Sequence, residues 1–522
     1  MSVCSRRIVA LWFPRLATDR LQRRWKAKEA ACAPSPEAPP LVTVAKTENA
    51  LRLSAVDRKA SVLGLAIGQP LANARAMVPA LTVMAANEPA DLKLLGRIAD
   101  WCDRFTPFVA LDGPHGLLLD VTGATHLFGG EQAMLDRILS SLRRQGFAVR
   151  GALAATATAA RACARYRDGL VVAGGEEARI LAPLPIEALN LDPVTIHAFR
   201  RAGLKTVGQA ASRDRRELTA RFGSQLIFIL ETALAKADKP IAPRLPLPDY
   251  RTEQSFAEPV VAEDAIRATL FSLAATLADV LERRGEGARR LEAAFFRADG
   301  EVRRIAVETG APTREPAMVA RLFRERLEAL IDPLDPGFGF DLIRLSASRT
   351  ERYASEAAGL EADANEARDI RFLVDRLAAR FGSHRVLAFQ PNDTHIPEAA
   401  AVAVPAQYAQ AAKMAWTKIR RPEEAPRRPL RLFAQPEPIS FLQDVTNRSP
   451  LRFRWRRAVH VVKRIEGPER IAMEWWRHQE PQPTRDYFRV EDEEGRRFWL
   501  YRNGVPGRDP QAPQWLMHGV FA

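Results

Sequence analysis

The chain has 522 residues, which at roughly 100–200 residues per domain calls for several domains and excludes a single small module. Its 47% hydrophobic and 27% charged content is close to the globular average, so several cores can form and disorder throughout is excluded. Lys and Arg outnumber Asp and Glu by 77 to 63, and the resulting +14 favours a polyanionic partner, nucleic acid ahead of an anionic membrane.

No apolar run reaches the roughly 18–20 residues of a spanning helix. The opening MSVCSRRIVALWF passes from a basic patch to a short apolar strand without a small-residue cleavage site, so the expectation is a soluble, cytoplasmic protein with no membrane partner. Cys4, Cys32, Cys102 and Cys163 are dispersed with no C-x-x-C, which predicts reduced thiols rather than a disulfide framework or a zinc site. The eight histidines show no H-E-x-x-H and no helical pair, and no metal site or cofactor is expected.

In chain order, Ile8 to Phe13 and Leu41 to Val44 read as strands separated by the proline-rich loop 34–40. Leu94, Ile98, Trp101, Cys102 and Phe105 recur at helical spacing, as do Met134, Leu135, Ile138, Leu139 and Leu142. Between them, Phe108–Leu111 and Leu117–Val121 flank Asp112-Gly113-Pro114, which has the turn chemistry of a hairpin. Residues 1–183 are therefore expected to be mixed α/β around one sheet. Residues 184–240 lose the strand signal and read as short helices, including Gly203-Leu-Lys-Thr-Val-Gly208, two glycines bracketing a turn whose backbone N–H groups can face a phosphate.

After the proline-rich segment 239–250, residues up to 348 read as a β-poor α+β unit. It has a helix stripe at Ile266, Leu270, Leu273, Leu277 and Leu281, and arginines Arg289, Arg290, Arg297, Arg303 and Arg304 lie on or beside its strands. Residues 349–424 read as a partly ordered linker with one helix near Ile370–Leu377. The segment 425–522 recovers as a C-terminal protein-interaction domain. From residue 401 onward the chain holds 22 Lys/Arg against 14 Asp/Glu, and six of its nine tryptophans fall at 416 or later. Trp455, Trp475, Trp476 and Trp499, with arginines around them, are the candidate partner contacts, although such rings also suit the core of a small domain.

Four landmarks occur in a telling order: Gly64-Leu-Ala-Ile-Gly-Gln-Pro-Leu-Ala-Asn-Ala-Arg75 with Pro79, then Leu119-Asp-Val-Thr-Gly123, then Gly203 to Gly208, then Arg221-Phe-Gly223. Together they resemble the Y-family translesion DNA polymerases. The resemblance implies palm and fingers over 1–183, a helix-hairpin-helix thumb over 184–240, a little finger over 241–348, and then a C-terminal extension. Polymerase chemistry needs two Mg²⁺ ions roughly 4 Å apart held by converging carboxylates. Laid onto this sequence, the family's first acid pair falls on Leu11 and Phe13 and its Asp-Glu pair on His115 and Gly116, none of which can supply a carboxylate. The family's triphosphate contacts fall near Arg58 and Ser61, and residues 151–164 hold no counterpart of its lysine. The thumb's first Gly-x-Gly is replaced by Asn190, Leu191 and Asp192.

The opening LWFPRLATDRL and the tail segments THIPE (394–398), RPLRLFAQPEPI (428–439), GPERIAMEWWR (467–477) and RDYFRVEDEEGRRFWLYR (485–502) are similar to the catalytically degenerate branch of that group found in bacterial mutagenesis cassettes. That resemblance implies a non-catalytic adaptor in damage-induced translesion synthesis. Its implied partners are DNA, an ImuA-like RecA-related protein, an error-prone C-family polymerase and the sliding clamp, whose direct binding by this chain is left open. Gln225-Leu-Ile-Phe228 looks like a clamp peptide but reads as a buried helix face. DNA contacts are expected at Gly203, Lys205, Gly208, Arg289, Arg290, Arg303 and Arg304. Two alternatives stand beside this reading: an active polymerase with carboxylates relocated to Asp112 or Asp120, and a primer-template binder that recruits no polymerase.

Overall fold

A computed structural model describes residues 6–29, 39–47, 49–245, 250–353, 362–409, 428–429, 431–441, 452–477, 483–504 and 514–521. The chain divides into two compact units, Met1–Leu360 and Glu361–Ala522. Cys4 and Cys32 lie outside the described residues; Cys102 and Cys163 are buried free thiols, and burial pushes the Cys163 thiol up to about 11.

The first unit opens with β1 (Ile8–Trp12) and α1 (Leu16–Glu29). Then come β2 (Leu41–Thr47), β3 (Ala50–Val56), α2 (Arg58–Val62), α3 (Leu71–Met77) and β4 (Thr82–Ala85). These precede α4 (Glu88–Cys102), β5 (Val109–Leu111), β6 (Gly116–Asp120), α5 (Glu131–Arg144), β7 (Arg150–Ala154), α6 (Ala157–Tyr166) and β8 (Leu170–Val171). Where one sheet was expected there are two. The palm-like sheet runs β5-β6-β1-β7-β8, and β2 belongs to a separate three-stranded sheet, β3-β2-β4, with its own small core around Val42, Leu53 and Leu71. Alternation along the sequence carries no mark of which sheet a strand joins.

β1 is central and apolar because both of its faces are covered. Ile8 and Ala10 pack with Ala152, Ala154 and the alanine-rich face of α6. Val9, Leu11 and Phe13 pack with Leu117, Leu119 and residues of α4 and α5. Burying each of the Ile, Val, Leu and Phe side chains contributes roughly 1.5–3 kcal/mol.

α7 (Glu177–Leu181) precedes the thumb-like segment, which carries α8 (Pro193–Arg201), α9 (Val207–Ala211), α10 (Arg215–Phe222) and α11 (Ser224–Ala233). Asp192 caps α8 by accepting from the Thr195 N–H at 2.9 Å. Leu226, Ile227 and Leu230 of α11 are buried, so Gln225–Phe228 is helical with a core face.

The little-finger-like part comprises β9 (Tyr250–Val260), α12 (Glu263–Arg284), β10 (Glu286–Arg297), β11 (Val302–Thr313), α13 (Pro316–Glu328) and β12 (Phe340–Arg352). It is not β-poor: four antiparallel strands of 11 to 13 residues are ordered β11-β10-β12-β9. β9 escapes a sequence reading because most of its side chains are exposed, so it lacks an alternating apolar pattern. Ions tie this sheet to the C-terminal end of α4. Arg304 bridges Asp103 at 2.6 Å and Glu292 at 2.7 Å, Arg104 grips Asp341 with two bonds of 2.8 and 3.1 Å, and Arg344 donates to the Asp103 carbonyl at 3.0 Å.

The second unit begins with α14 (Ala362–Phe381) and the hairpin β13 (Leu387–Pro391) and β14 (Ala401–Pro405). It continues with β15 (Arg431–Pro438), β16 (Ser440–Phe441), β17 (Arg452–Trp455), β18 (Ala458–Ile471), β19 (Arg485–Asp492), β20 (Arg497–Asn503) and β21 (Gln514–Val520). These seven strands form one antiparallel sheet, β15-β21-β20-β19-β18-β17-β16. Ile396, from the segment expected to be linker, is buried with Ile471, Tyr487, Trp499 and Tyr501, so the hairpin region contributes to the core of this sheet. No described helix is long and apolar enough to cross a membrane.

Candidate functional site

At the edge of the palm-like sheet where polymerases would hold metal, Trp12 pairs with Gly116 and Leu11 with Leu117. Leu11 is 1% exposed, and a Cβ added to the adjoining Gly151 would stand 3.0 Å from its methyl group, so the leucine is wedged into the strand pair. Phe13 is fully buried, meets Phe147 edge-on at 6.1 Å, and donates its backbone N–H to the His115 carbonyl at 2.8 Å. A Cβ at Gly116 would lie 2.7 Å from the Asp112 carbonyl oxygen, closer than any side chain tolerates, so the turn requires glycine where the family resemblance places its glutamate. Partial desolvation lowers the His115 imidazole below its ordinary value, with Asp91 opposing and Arg165 reinforcing the shift.

Neither relocated carboxylate meets the other. Asp120 sits at the far end of β6, opposite Ile8, and accepts from the Thr122 N–H at 3.0 Å and its hydroxyl at 2.5 Å. Asp112 stays at the edge but is gripped by both arms of Arg161 at 2.7 Å each. Ala10, Leu11, Trp12, residues 112–116, Arg161, Ala164, Arg165 and Asn190 line a cavity of about 150 Å³. Arg165 donates to Asn190 Oδ1 at 2.7 Å, and the Trp12 ring lies 5.9 Å from the guanidinium carbons of both Arg150 and Arg165. Sequence reasoning passed over Arg161 and Arg165. The usable signal was their four-residue spacing in an alanine-rich run, which puts both on one helical face.

Arg58 and Ser61, near the expected triphosphate contacts, lie exposed on α2. In the thumb-like segment the phosphate-facing expectation needs correcting, since the backbone donors are engaged within the fold. Gly203 N–H bonds the Arg200 carbonyl at 3.1 Å, Lys205 N–H bonds Gln209 Oε1 at 2.7 Å, and Gly208 N–H bonds the Ala182 carbonyl at 3.0 Å. Gly203 has φ +73° and ends α8, whereas Gly208 is glycine because a Cβ would stand 3.0 Å from Ala182.

The four little-finger arginines divide. Arg289 is buried and donates to the Gly310 carbonyl, and Arg304 is the ion bridge to α4, so these two are structural. Arg290 and Arg303 are more open, paired with Glu308 at 3.1 Å and Asp332 at 3.2 Å. The tail tryptophans divide as well. Trp499 is 1% exposed and stacks on Tyr487 at 4.1 Å, so it is core and not a partner contact. Trp455 is half-buried and donates its indole N–H to Glu437 at 2.8 Å. Trp475 and Trp476 are 77% and 60% exposed, edge-to-face at 5.8 Å.

The family model described as the impB/mucB/samB family C-terminal domain matches residues 249–360, and one described as a domain of unknown function (DUF6504) matches residues 435–521. The chain is 39% identical over 471 residues to Protein ImuB of Caulobacter vibrioides, covering 88% of this chain and 100% of that protein. It is 25% identical over 341 residues to DNA polymerase IV of the same organism, covering 63% and 82% respectively. The solved structure of DinB from Sulfolobus solfataricus aligns at 15% identity and TM-score 0.38, over 66% of this chain and 98% of that one. Similarity at this level along the entire length of the Caulobacter protein means that the chain belongs to the ImuB family, relatives of the Y-family polymerases.

Proposed function

We propose that the chain is a non-catalytic scaffold with a polymerase-shaped body, which associates with DNA and recruits an error-prone polymerase during damage-induced mutagenesis. The observation that carries this reading is the closure of the metal edge. Leu11 and Phe13 are core residues, and Gly116 has no room for a side chain. Mg²⁺ gives up its water shell only to several anionic ligands, and the one acid lining this edge among the described residues is neutralised by Arg161.

DNA association is supported by the +14 charge and by the open arginines Arg290 and Arg303, which suit backbone contacts more than base readout. The exposed pair Trp475 and Trp476 is the proposed contact for the ImuA-like protein, the error-prone C-family polymerase, or both. Primer extension tests the first half: no template-directed synthesis is expected with Mg²⁺ or Mn²⁺. Extension that follows the protein through purification and vanishes on Asp112→Asn would overturn it. Co-purification with the two partners, with and without residues 361–522, tests the second half, and undiminished capture by the shortened chain would move recruitment to the polymerase-like body.

A further inference from the structure

We propose that the closed metal edge has become an anion site, in which the cavity beside β1 takes a phosphoryl group directly on Arg161 and Arg165 with no metal between. The inference rests on the reading above that no metal pair forms here, and it names what the same edge would bind instead.

The charge balance points this way. Two guanidinium groups and one carboxylate line the cavity, so it carries a net positive charge where the polymerases that this chain resembles are expected to gather negative charge. Asp112 satisfies Arg161 through two bonds, whereas Arg165 reaches only the neutral Asn190, and its Nε is buried without a hydrogen-bond partner. A buried cationic donor without an acceptor is costly, and an entering anion removes that cost. Guanidinium geometry matches phosphate oxygens through paired N–H bonds. Burial lowers the Arg165 pKa against the opposing pull of Asp112, and the neighbouring Arg161 lowers it further.

The cavity is also built to hold these groups still. Ala159, Ala160, Ala162, Cys163 and Ala164 fix α6 in the core, so Arg161 and Arg165 project from a rigid helix. The Trp12 ring flanks Arg165, its centroid 5.9 Å from the guanidinium carbon. The volume of about 150 Å³ is roughly ten times what one water needs. A phosphoryl group can arrive on a nucleic-acid backbone or on a nucleoside polyphosphate, and the recognising chemistry is the same for both.

Calorimetric titration of the full chain with inorganic pyrophosphate in EDTA tests the site. Saturable 1:1 binding is expected, at least tenfold weaker in Arg165→Gln and several-fold tighter in Asp112→Asn, which frees Arg161. A merely destabilised variant would not bind more tightly, so the second substitution keeps the test meaningful if the first folds poorly. Competition then identifies the source: displacement by primer-template duplex assigns a backbone phosphate, and displacement by dGTP assigns a polyphosphate. Binding that needs Mg²⁺, equal affinity in Arg165→Gln, weaker binding in Asp112→Asn, or displacement by neither competitor overturns the proposal. Primer extension on the same samples separates the two readings. Synthesis would sink the scaffold reading, while silence together with no metal-free binding would sink only the anion site.

Discussion

The palm-like edge and the C-terminal sheet treat acidic residues in opposite ways. In the sheet, Asp486 and Asp492 are completely buried as carboxylates, yet each is matched: Asp486 by Arg470 at 2.7 Å and Arg502 at 3.0 Å, Asp492 by His460 at 3.0 Å and Arg496 at 2.7 Å. At the palm-like edge, the positions onto which the family resemblance lays acids are Leu11, Phe13, His115 and Gly116, and the charged groups lining the cavity are two arginines and one aspartate. These two buried carboxylates of the sheet draw their counter-charge from the chain itself. At the palm-like edge, Leu11 and Phe13 are buried core residues and call for no counter-charge. The cluster of His460, Asp492 and Glu494, which could geometrically hold a cation, follows the same rule, because Arg496 reaches all three side chains.

The largest effect expected from this contrast is in the palm. Leu11→Asp places an unmatched carboxylate in the core and should cost about 4 kcal/mol or more in chemical unfolding. Adding Phe13→Asp, His115→Asp and Gly116→Glu should deepen the loss without producing primer extension, and a stable, extending quadruple variant would break the comparison. Next comes the sheet, where Asp486→Ala removes the carboxylate that Arg470 and the buried Arg502 share and should cost about 3 kcal/mol.

Acid unfolding sharpens the same point. Hydrogen bonds from His460 and Arg496 outweigh burial and hold Asp492 down at about 2. Its contribution is present above the ordinary carboxylate range and is lost as pH falls toward 2, so Asp492→Asn should flatten the acid limb of stability against pH.

Asp19 runs the other way. It is buried at the end of a bond from the Ala148 N–H, and desolvation raises it to about 6. Its folded-state value lies above the unfolded one, so its contribution favours folding at low pH and fades as pH rises from about 4 to about 6. Asp19→Asn should therefore stabilise the first unit at pH 7 by about 1–2 kcal/mol and remove that slope.

Arg304→Ala, which cuts the bridge to Asp103 and Glu292, should cost about 1–2 kcal/mol and leave the salt dependence of DNA binding unchanged. Neutralising the open Arg290 and Arg303 should instead lower that salt slope by up to about 0.9 per lost duplex phosphate contact. The smallest stability effect belongs to Trp475→Ala and Trp476→Ala, within about 0.5 kcal/mol, with loss of partner capture as the readout.

The sequence by itself determined much of the order of the elements, the absence of a carboxylate at Leu11, Phe13, His115 and Gly116, and the core character of Leu11 and of the Gln225–Phe228 helix. These follow from residue type, spacing and periodicity, which are local properties. Only the tertiary structure decided the rest, because each remaining point depends on residues far apart in the chain meeting. Gly208 is closed by Ala182, and Asp112 is taken by Arg161. Arg165 leans on Asn190 and Trp12, and Arg304 is drawn to Asp103, some two hundred positions away. Trp499 and Trp475 look alike as letters beside arginines. One lies in a stack with Tyr487 and His518 and the other lies in the open, and that difference is set by which strands pair and which face of the sheet is covered.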